Sequence, residues 1–348
     1  MAESVAVNTG SGKYSVIIGR SLDFGKLALE VKKPCRAVIV TDDIVHPLHG
    51  YTAAESFRNS GYQVSEYIIK NGEASKTLST VESLIGFLVK EEVTRGDMLV
   101  CLGGGVVGDI TGFASAIYLR GLPFIQIPTT ILAAVDSSVG GKTGVDLSVG
   151  KNLIGAFHQP LAVFCDTDFF ATLPKDIYSD GMAEIIKHGM AFDREMLGSL
   201  DTLPIEEICR RNVEIKASVV EQDEFDNGVR KKLNFGHTVG HAIETISDFR
   251  VSHGRAVAMG MAVICRASER SGLTEEPVTE ELIRALKKYD LPYKCEYSAK
   301  ELAAAALRDK KRSGDTITLV IPKKVGNVEL HALPVIELED FITKGLDK

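Results

Sequence analysis

The sequence lacks the features that would place the chain outside the ordinary globular class. No stretch approaches the ~18 uninterrupted apolar residues of a membrane span, so no membrane role is expected. No CxxC pair is present. The six cysteines (Cys35, Cys101, Cys165, Cys209, Cys265, Cys295) are scattered, which suggests neither a zinc ribbon nor a disulfide framework. Reduced thiols in a cytoplasmic protein are the expected state. The opening MAESVAVNTG has no charged lead followed by an apolar run, so no signal peptide is expected. There is no basic excess either. The 40 Lys and Arg residues against 47 Asp and Glu leave a formal net charge of −7, which argues against bulk nucleic-acid binding.

What is present reads as a folded globular protein. At 348 residues the chain can bury roughly three quarters of its unfolded surface and tends to split into two domains. A content of 45% hydrophobic and 25% charged residues is an ordinary globular mix, so disorder is not expected. Short apolar runs at Tyr14–Ile18, Ala37–Thr41, Met98–Leu102, Phe124–Ile127 and Ala162–Cys165 alternate with helix-like segments such as Thr77–Glu92. That alternation predicts a parallel sheet with helices on its faces. The runs are continuously apolar, as strands buried on both sides require. After about Pro174 the patterns turn mainly helical as far as Leu307, with a small hairpin expected at Thr316–Ile321 and Val328–Leu333. The expected layout is an α/β dinucleotide-binding domain over residues 1–174 and a helical metal- and substrate-binding domain over 175–348.

Three loops in the first half suit a dinucleotide. In MLVCLGGGVVGD (Met98–Asp109) an apolar strand runs into three glycines and then opens a helix. Glycines let the backbone approach a pyrophosphate, and a helix N-terminus offers amide donors and positive potential. Gly103, Gly105 and Gly108 satisfy GxGxxG, although they sit later than in an ordinary Rossmann unit; alone, this pattern also fits a plain strand-to-helix turn. The loops Asn71–Lys76 and Ile127–Thr130 add a carboxylate, an ammonium and two hydroxyls at strand ends, where open parallel sheets bind ligands.

The second half suggests a metal. His237 and His241 are four apart and share one helix face, and His253 follows nearby. Upstream, Glu184, Lys187 and His188 lie on one side of another helix-like segment. The candidate ligands are His237, His241, His253, Glu184 and His188, a set suited to zinc or a similar ion. A single histidine in such a helix is more often a packed one; the grouping favours a metal. Glycine- and hydroxyl-rich Asp136–Gly144 and Gly150-Lys151-Asn152 place lysines where anionic oxygens bind, and Lys216, Arg230, Lys310 and Lys311 are further cations. A P-loop is rejected, because the first glycine of GxxxxGK[ST] would fall on Asp136.

These motifs together resemble the 3-dehydroquinate synthase family. The resemblance rests on GEASKT (Gly72–Thr77), LGGGVVGD (Leu102–Asp109), YLRG (Tyr118–Gly121), PTTILAAVDSSVGGKTGVD (Pro128–Asp146), GKNLIGAFHQP (Gly150–Pro160), GMAEIIKHG (Gly181–Gly189), LNFGHTVGHAIE (Leu233–Glu244), HGRAVAMGM (His253–Met261) and DKK (Asp309–Lys311), in family order over nearly the whole chain. It implies bound NAD and a divalent metal, zinc or cobalt. The implied metal ligands are Glu184, His237 and His253. The implied NAD contacts are Gly72, Glu73, Lys76, Gly104, Gly105, Val106, Asp109, Thr129, Thr130, Lys151 and Thr172. Asp136, Lys142, Asn152, Lys187, Lys216, Arg230, Asn234 and Lys310 match substrate contacts, with Asp136, Lys142, Lys187 and Lys216 among the catalytic set. His241 matches a residue placed near the substrate phosphate and proposed for proton transfer, whereas its spacing alone suggests a ligand. Arg120 matches a position that reaches a neighbouring subunit's site, which implies a homodimer. Asp226 stands where the family usually has Glu.

The implied reaction converts 3-deoxy-D-arabino-heptulosonate 7-phosphate to 3-dehydroquinate and phosphate in the shikimate pathway. Oxidation by NAD acidifies a neighbouring carbon, phosphate leaves by elimination, the hydride returns, and the ring opens and recloses. NAD is therefore not consumed. Rival readings are a sister sugar-phosphate cyclase whose substrate lacks a carboxylate, a metal-dependent polyol dehydrogenase, and a non-catalytic metal- or nucleotide-binding protein. The last is disfavoured because buried cations without a ligand are costly.

Overall fold

A computed structural model describes residues 2–147, 150–308, 312–313 and 315–347. Lys310 lies outside these residues, with Asp309 and Lys311. The chain forms two compact units: Met1–Pro174 with Ile205–Phe225, and Lys175–Pro204 with Asp226–Lys348.

Among the described residues, the first unit has nine strands: β1 (Glu3–Thr9), β2 (Gly12–Gly19), β3 (Arg36–Asp42), β4 (Gln63–Ile69), β5 (Met98–Gly103), β6 (Phe124–Pro128), β7 (Lys142–Leu147), β8 (Gly150–Phe157) and β9 (Ala162–Asp166). Seven of them make one sheet in the order β1-β2-β9-β6-β5-β3-β4. All neighbours are parallel except β1, which runs antiparallel to β2. β7 and β8 form a separate antiparallel ribbon. The helices are α1 (Phe24–Ala28), α2 (Tyr51–Asn59), α3 (Leu78–Lys90) and α4 (Gly105–Ile117). The continuous apolar runs serve two cores at once. Val38, Val40, Leu99 and Cys101 face the side packed with α3 and α4, while Ala37, Ile39, Met98, Val100 and Leu102 face Phe24, Ala28 and α2. Side chains alternate across a strand, so each run must be apolar throughout. β3 has β4 on one side and β5 on the other. The strand order therefore reverses there, and a ligand crevice is expected at the carboxyl ends of these strands.

The second unit opens with α5 (Lys175–Phe192) and α6 (Arg194–Gly198). The next helix, α7 (Ile205–Gln222), leaves it and packs on β1, β2 and the turn Ala133–Ser137. A single cut after residue 174 misses this return. Its cause is the apolar stripe of α7, with Ile208, Cys209, Val213, Ala217 and Val220 all buried, which the first unit's edge strands cover. Composition cannot tell which unit covers such a stripe. The second unit continues with α8 (His237–Ile246), α9 (His253–Arg270), α10 (Thr279–Lys288), α11 (Ala299–Ala306) and α12 (Leu338–Gly345). Its strands are β10 (Arg312–Ser313), β11 (Thr316–Lys324) and β12 (Asn327–Pro334); β11 and β12 form the expected late hairpin. None of the described helices is long and apolar enough to cross a membrane.

Glycine lets α8, α9 and α5 approach closely. A Cβ on Gly260 would stand 2.1 Å from the Gly236 carbonyl oxygen, and one on Gly254 would stand 2.3 Å from that of Asp180. Both obstacles are backbone, so neither can swing aside. Gly260→Ala is therefore expected to destabilise the protein by about 2 kcal/mol or more by overpacking, as read by urea unfolding.

Candidate functional site

In the first unit, the residues expected to hold a dinucleotide gather at the carboxyl ends of the parallel strands. Gly72, Glu73 and Lys76 follow β4, and Gly104, Gly105, Val106 and Asp109 follow β5. Thr129 and Thr130 follow β6, and Thr172 lies just beyond β9. The Gly104 N-cap offers no side chain to the first amides of α4, as an anion-receiving helix start requires. Gly72 has φ of +103°, which glycine adopts without strain. Lys76 Nζ lies 2.6 Å from Asp109 Oδ2 and 2.5 Å from Asn152 Oδ1. Burial alone would lower the Lys76 pKa, but the Asp109 carboxylate outweighs it and the ammonium titrates above its usual range. Lys151 Nζ is 3.1 Å from Glu73 Oε1. Thr77 then caps α3, accepting a 3.2 Å hydrogen bond from the Thr80 amide.

Other predicted residues fall around this edge. Asn152 shares Lys76 with the nucleotide group. The return of α7 brings Lys216 to Asp136: its ammonium donates to both the carboxylate and the carbonyl oxygen of that residue. Lys142 is exposed at the start of β7. Arg120 stands apart, exposed after the far end of α4. With a rise of ~1.5 Å per residue, that helix separates it from the glycine turn by roughly 20 Å.

The second unit places Glu184 and Lys187 on α5, His237 and His241 on α8, and His253 at the first turn of α9. Arg230 is buried in the turn Val229–Asn234, which ends at Asn234 just ahead of α8. Glu184 is fully buried and its Oε2 accepts from the Lys187 ammonium. Its Oε1 is buried with no hydrogen-bond partner. That oxygen faces His253 Nε2 at 3.4 Å and His237 Nε2 at 3.9 Å. Two donors each ~2.0–2.1 Å from one ion stand about 3–4 Å apart. The three residues thus fit a divalent cation, and the orphaned oxygen is what such an ion would satisfy. His237 Nδ1 is 3.2 Å from the Phe235 carbonyl, to which it donates, leaving the Nε2 lone pair for the ion.

His241 lies one turn along α8, its ring 5.3 Å from that of His237 and 6.3 Å from that of His253. With Glu244 and His253 it forms a second group of metal-type donors. The first group fits better, because it alone holds a buried carboxylate oxygen without a hydrogen bond. His188 is buried on α5, its ring edge-on to Phe192, and belongs to neither group.

The charges are divided sharply. Burial would raise the Glu184 pKa, but Lys187 and the two histidines hold it well below the usual carboxylate range. Burial and Lys187 drive His237 well below the usual imidazole value, so it is neutral. Burial also disfavours a charged His253, yet the neighbouring carboxylates of Glu184 and Glu244 raise its pKa to about 10. At pH 7.5 a metal must displace that proton. Binding is expected to release about one proton, and metal affinity to fall as pH falls. Calorimetry in buffers of different ionisation enthalpy reads the release directly; a release near zero would contradict this electrostatic picture.

Two family models match the chain: "3-dehydroquinate synthase N-terminal" over residues 66–180 and "3-dehydroquinate synthase C-terminal" over 181–312. The chain belongs to the 3-dehydroquinate synthase family. A 3-dehydroquinate synthase of Streptococcus suis is 41% identical over 97% of this chain and 99% of its own length. One of Clostridium acetobutylicum is 42% identical over 93% and 95%. Among solved structures, 2-deoxy-scyllo-inosose synthase complexed with carbaglucose-6-phosphate, NAD+ and Co2+ superposes with a TM-score of 0.87 at 24% identity, covering 99% of this chain and 100% of that one. The 2-epi-5-epi-valiolone synthase of Streptomyces hygroscopicus, with NAD+ and Zn2+ bound, gives 0.85 at 24% identity over 95% and 96%. A glycerol dehydrogenase from Schizosaccharomyces pombe is more distant, at 0.63 and 17% over 94% and 87%. These likenesses establish the shared fold.

Two carboxylates escaped the sequence reading. Asp180, one turn before Glu184, accepts from the Ser252 hydroxyl at 2.6 Å and from the Arg255 amide at 3.1 Å, pinning the first turn of α9. Glu244 stands 3.4 Å from His253 Nδ1. It follows His237 by seven residues and so shares its helix face, a signal the sequence did contain.

Proposed function

We propose that this enzyme converts 3-deoxy-D-arabino-heptulosonate 7-phosphate to 3-dehydroquinate and phosphate, a step of aromatic amino acid biosynthesis. The observation that carries the metal-dependent chemistry is the buried Glu184 Oε1 facing two imidazole Nε2 atoms. Glu184, His237 and His253 would hold the zinc or cobalt ion. The strand-end loops of the first unit would hold NAD: Gly104, Gly105 and Val106 offer backbone to the pyrophosphate, and Glu73, Lys76, Asp109, Thr129, Thr130, Lys151 and Thr172 surround it. When bound, the ion supplies a Lewis acid for a substrate hydroxyl and NAD a reversible hydride acceptor.

The chain's own residues bind and orient. Lys187 keeps Glu184 ionised and offers its remaining ammonium protons to a substrate oxygen. Lys216 and Asp136 form a donor–acceptor pair suited to a hydroxyl. Lys142, Asn152, Arg230 and Asn234 are the polar groups for the carboxylate, phosphate and ring hydroxyls, with Lys310 as a further cation. His241 would carry a proton on its imidazole near the phosphate. Asp226 sits in left-handed backbone at φ +61° just before Arg230, a short carboxylate where the family usually has Glu. We further propose a cytoplasmic homodimer in which Arg120, far from its own chain's glycine turn, serves the partner's site.

The test compares substrates. Dehydroquinate and phosphate are expected from the heptulosonate phosphate, with loss on chelation and recovery with zinc or cobalt. Turnover on sedoheptulose 7-phosphate or a hexose phosphate, with none on the heptulosonate, would move the chain to a sister cyclase.

A further inference from the structure

The two histidines that face Glu184 are not held alike. His237 is nearly enclosed, its side chain 9% exposed, and packing fixes its ring. His253 is 32% exposed and sits at the first residue of α9, where packing covers only part of the ring. A ring in that position can turn about its Cβ–Cγ bond and carry Nε2 away from Glu184. What opposes the turn is Glu244, whose side chain is 7% exposed and whose Oε2 lies 3.4 Å from His253 Nδ1. A carboxylate only accepts, so Glu244 retains the proton on Nδ1 when an ion is bound, and the Nε2 lone pair is the one left for the metal. His237 achieves the same orientation with a backbone carbonyl.

Resting on the metal reading of Glu184, His237 and His253, we infer that Glu244 is a positioning residue: it fixes the tautomer and rotation of His253 and so sets metal affinity, without binding the ion. Carboxylates that orient metal-bound imidazoles typically change affinity 10–100-fold.

Two substitutions separate orientation from bulk. Glu244→Gln keeps an oxygen that can accept from Nδ1, whereas Glu244→Leu fills the space and accepts nothing. Zinc affinity is read by competition with a chromophoric chelator, and coordination by the visible spectrum of the cobalt-loaded protein. Glu244→Leu is expected to bind zinc about 10–100-fold more weakly, with an altered cobalt spectrum. Glu244→Gln should stay within a few fold of the parent with the parent's spectrum. One ion per chain should bind in all three. Equal affinity and spectrum in Glu244→Leu would overturn the inference. So would two ions in the parent and one, at unchanged affinity, in Glu244→Leu, because Glu244 would then be a ligand with His241. Glu184→Gln serves as the control: retention of the ion there would sink the metal reading itself, and this inference with it.

Discussion

Glu184→Gln is expected to abolish tight metal binding and to lower turnover by on the order of a thousandfold or more. Gln matches Glu in size but offers one neutral oxygen where a buried anion stood. Removing a charged ligand should cost more than the 10–100-fold typical of an orienting partner. A thousandfold corresponds to about 4 kcal/mol of transition-state stabilisation, within what a Lewis-acid metal supplies. The change also strands Lys187, whose side chain is 1% exposed and whose ammonium donates to Glu184 Oε2. Breaking a buried pair from one side costs about 3–5 kcal/mol. The variant should therefore show two losses with separate readouts: metal content by elemental analysis and stability by urea unfolding. A variant that keeps its metal and its turnover would contradict the assignment of this carboxylate.

Lys216→Met should behave differently. The lysine lies on α7, in the first unit, and its ammonium donates to the carboxylate and the carbonyl oxygen of Asp136. Its loss removes a positioned cation and leaves metal affinity unchanged. A fall in turnover of about a hundredfold or more is expected, the size seen when one aligned donor is removed from a reacting centre. Met retains most of the apolar stem, so the packing of α7 on β1 and β2 should survive. Steady-state kinetics beside metal content checks this: low turnover with full metal supports a role at the substrate, and unchanged kinetics would reduce Lys216 to a structural ion pair.

The parts legible in the sequence were those where one physical demand dominates. The strands β2, β3, β5, β6 and β9 were visible because strands buried on both faces must be apolar throughout. The edge strands β1 and β4 were not. Each has a half-exposed face, as in Gln63-Val64-Ser65-Glu66, and reads as polar loop. The ribbon β7–β8 was hidden by its glycines. Gly144 and Gly155 stand where a Cβ would meet backbone at 2.5 Å and 2.1 Å, so sequence rules for turns point away from a strand. In the metal group, helical spacing found His237 and His241 together but could not rank them. That ranking depends on Glu184 Oε1, which reaches the group from a helix about fifty residues earlier. Glu244 was missed because a carboxylate at a helical spacing is usually a solvated one; its burial becomes visible only in three dimensions.

The most direct single measurement follows phosphate release and NADH absorbance together, with heptulosonate 7-phosphate in large excess over NAD and with zinc present. Many phosphates per NAD, no accumulation of NADH, and dehydroquinate as the product are the predicted result, because the hydride taken is returned within each cycle. Steady NADH build-up matched to substrate consumption, without phosphate release, would contradict it and make the chain a dehydrogenase on a cyclase fold.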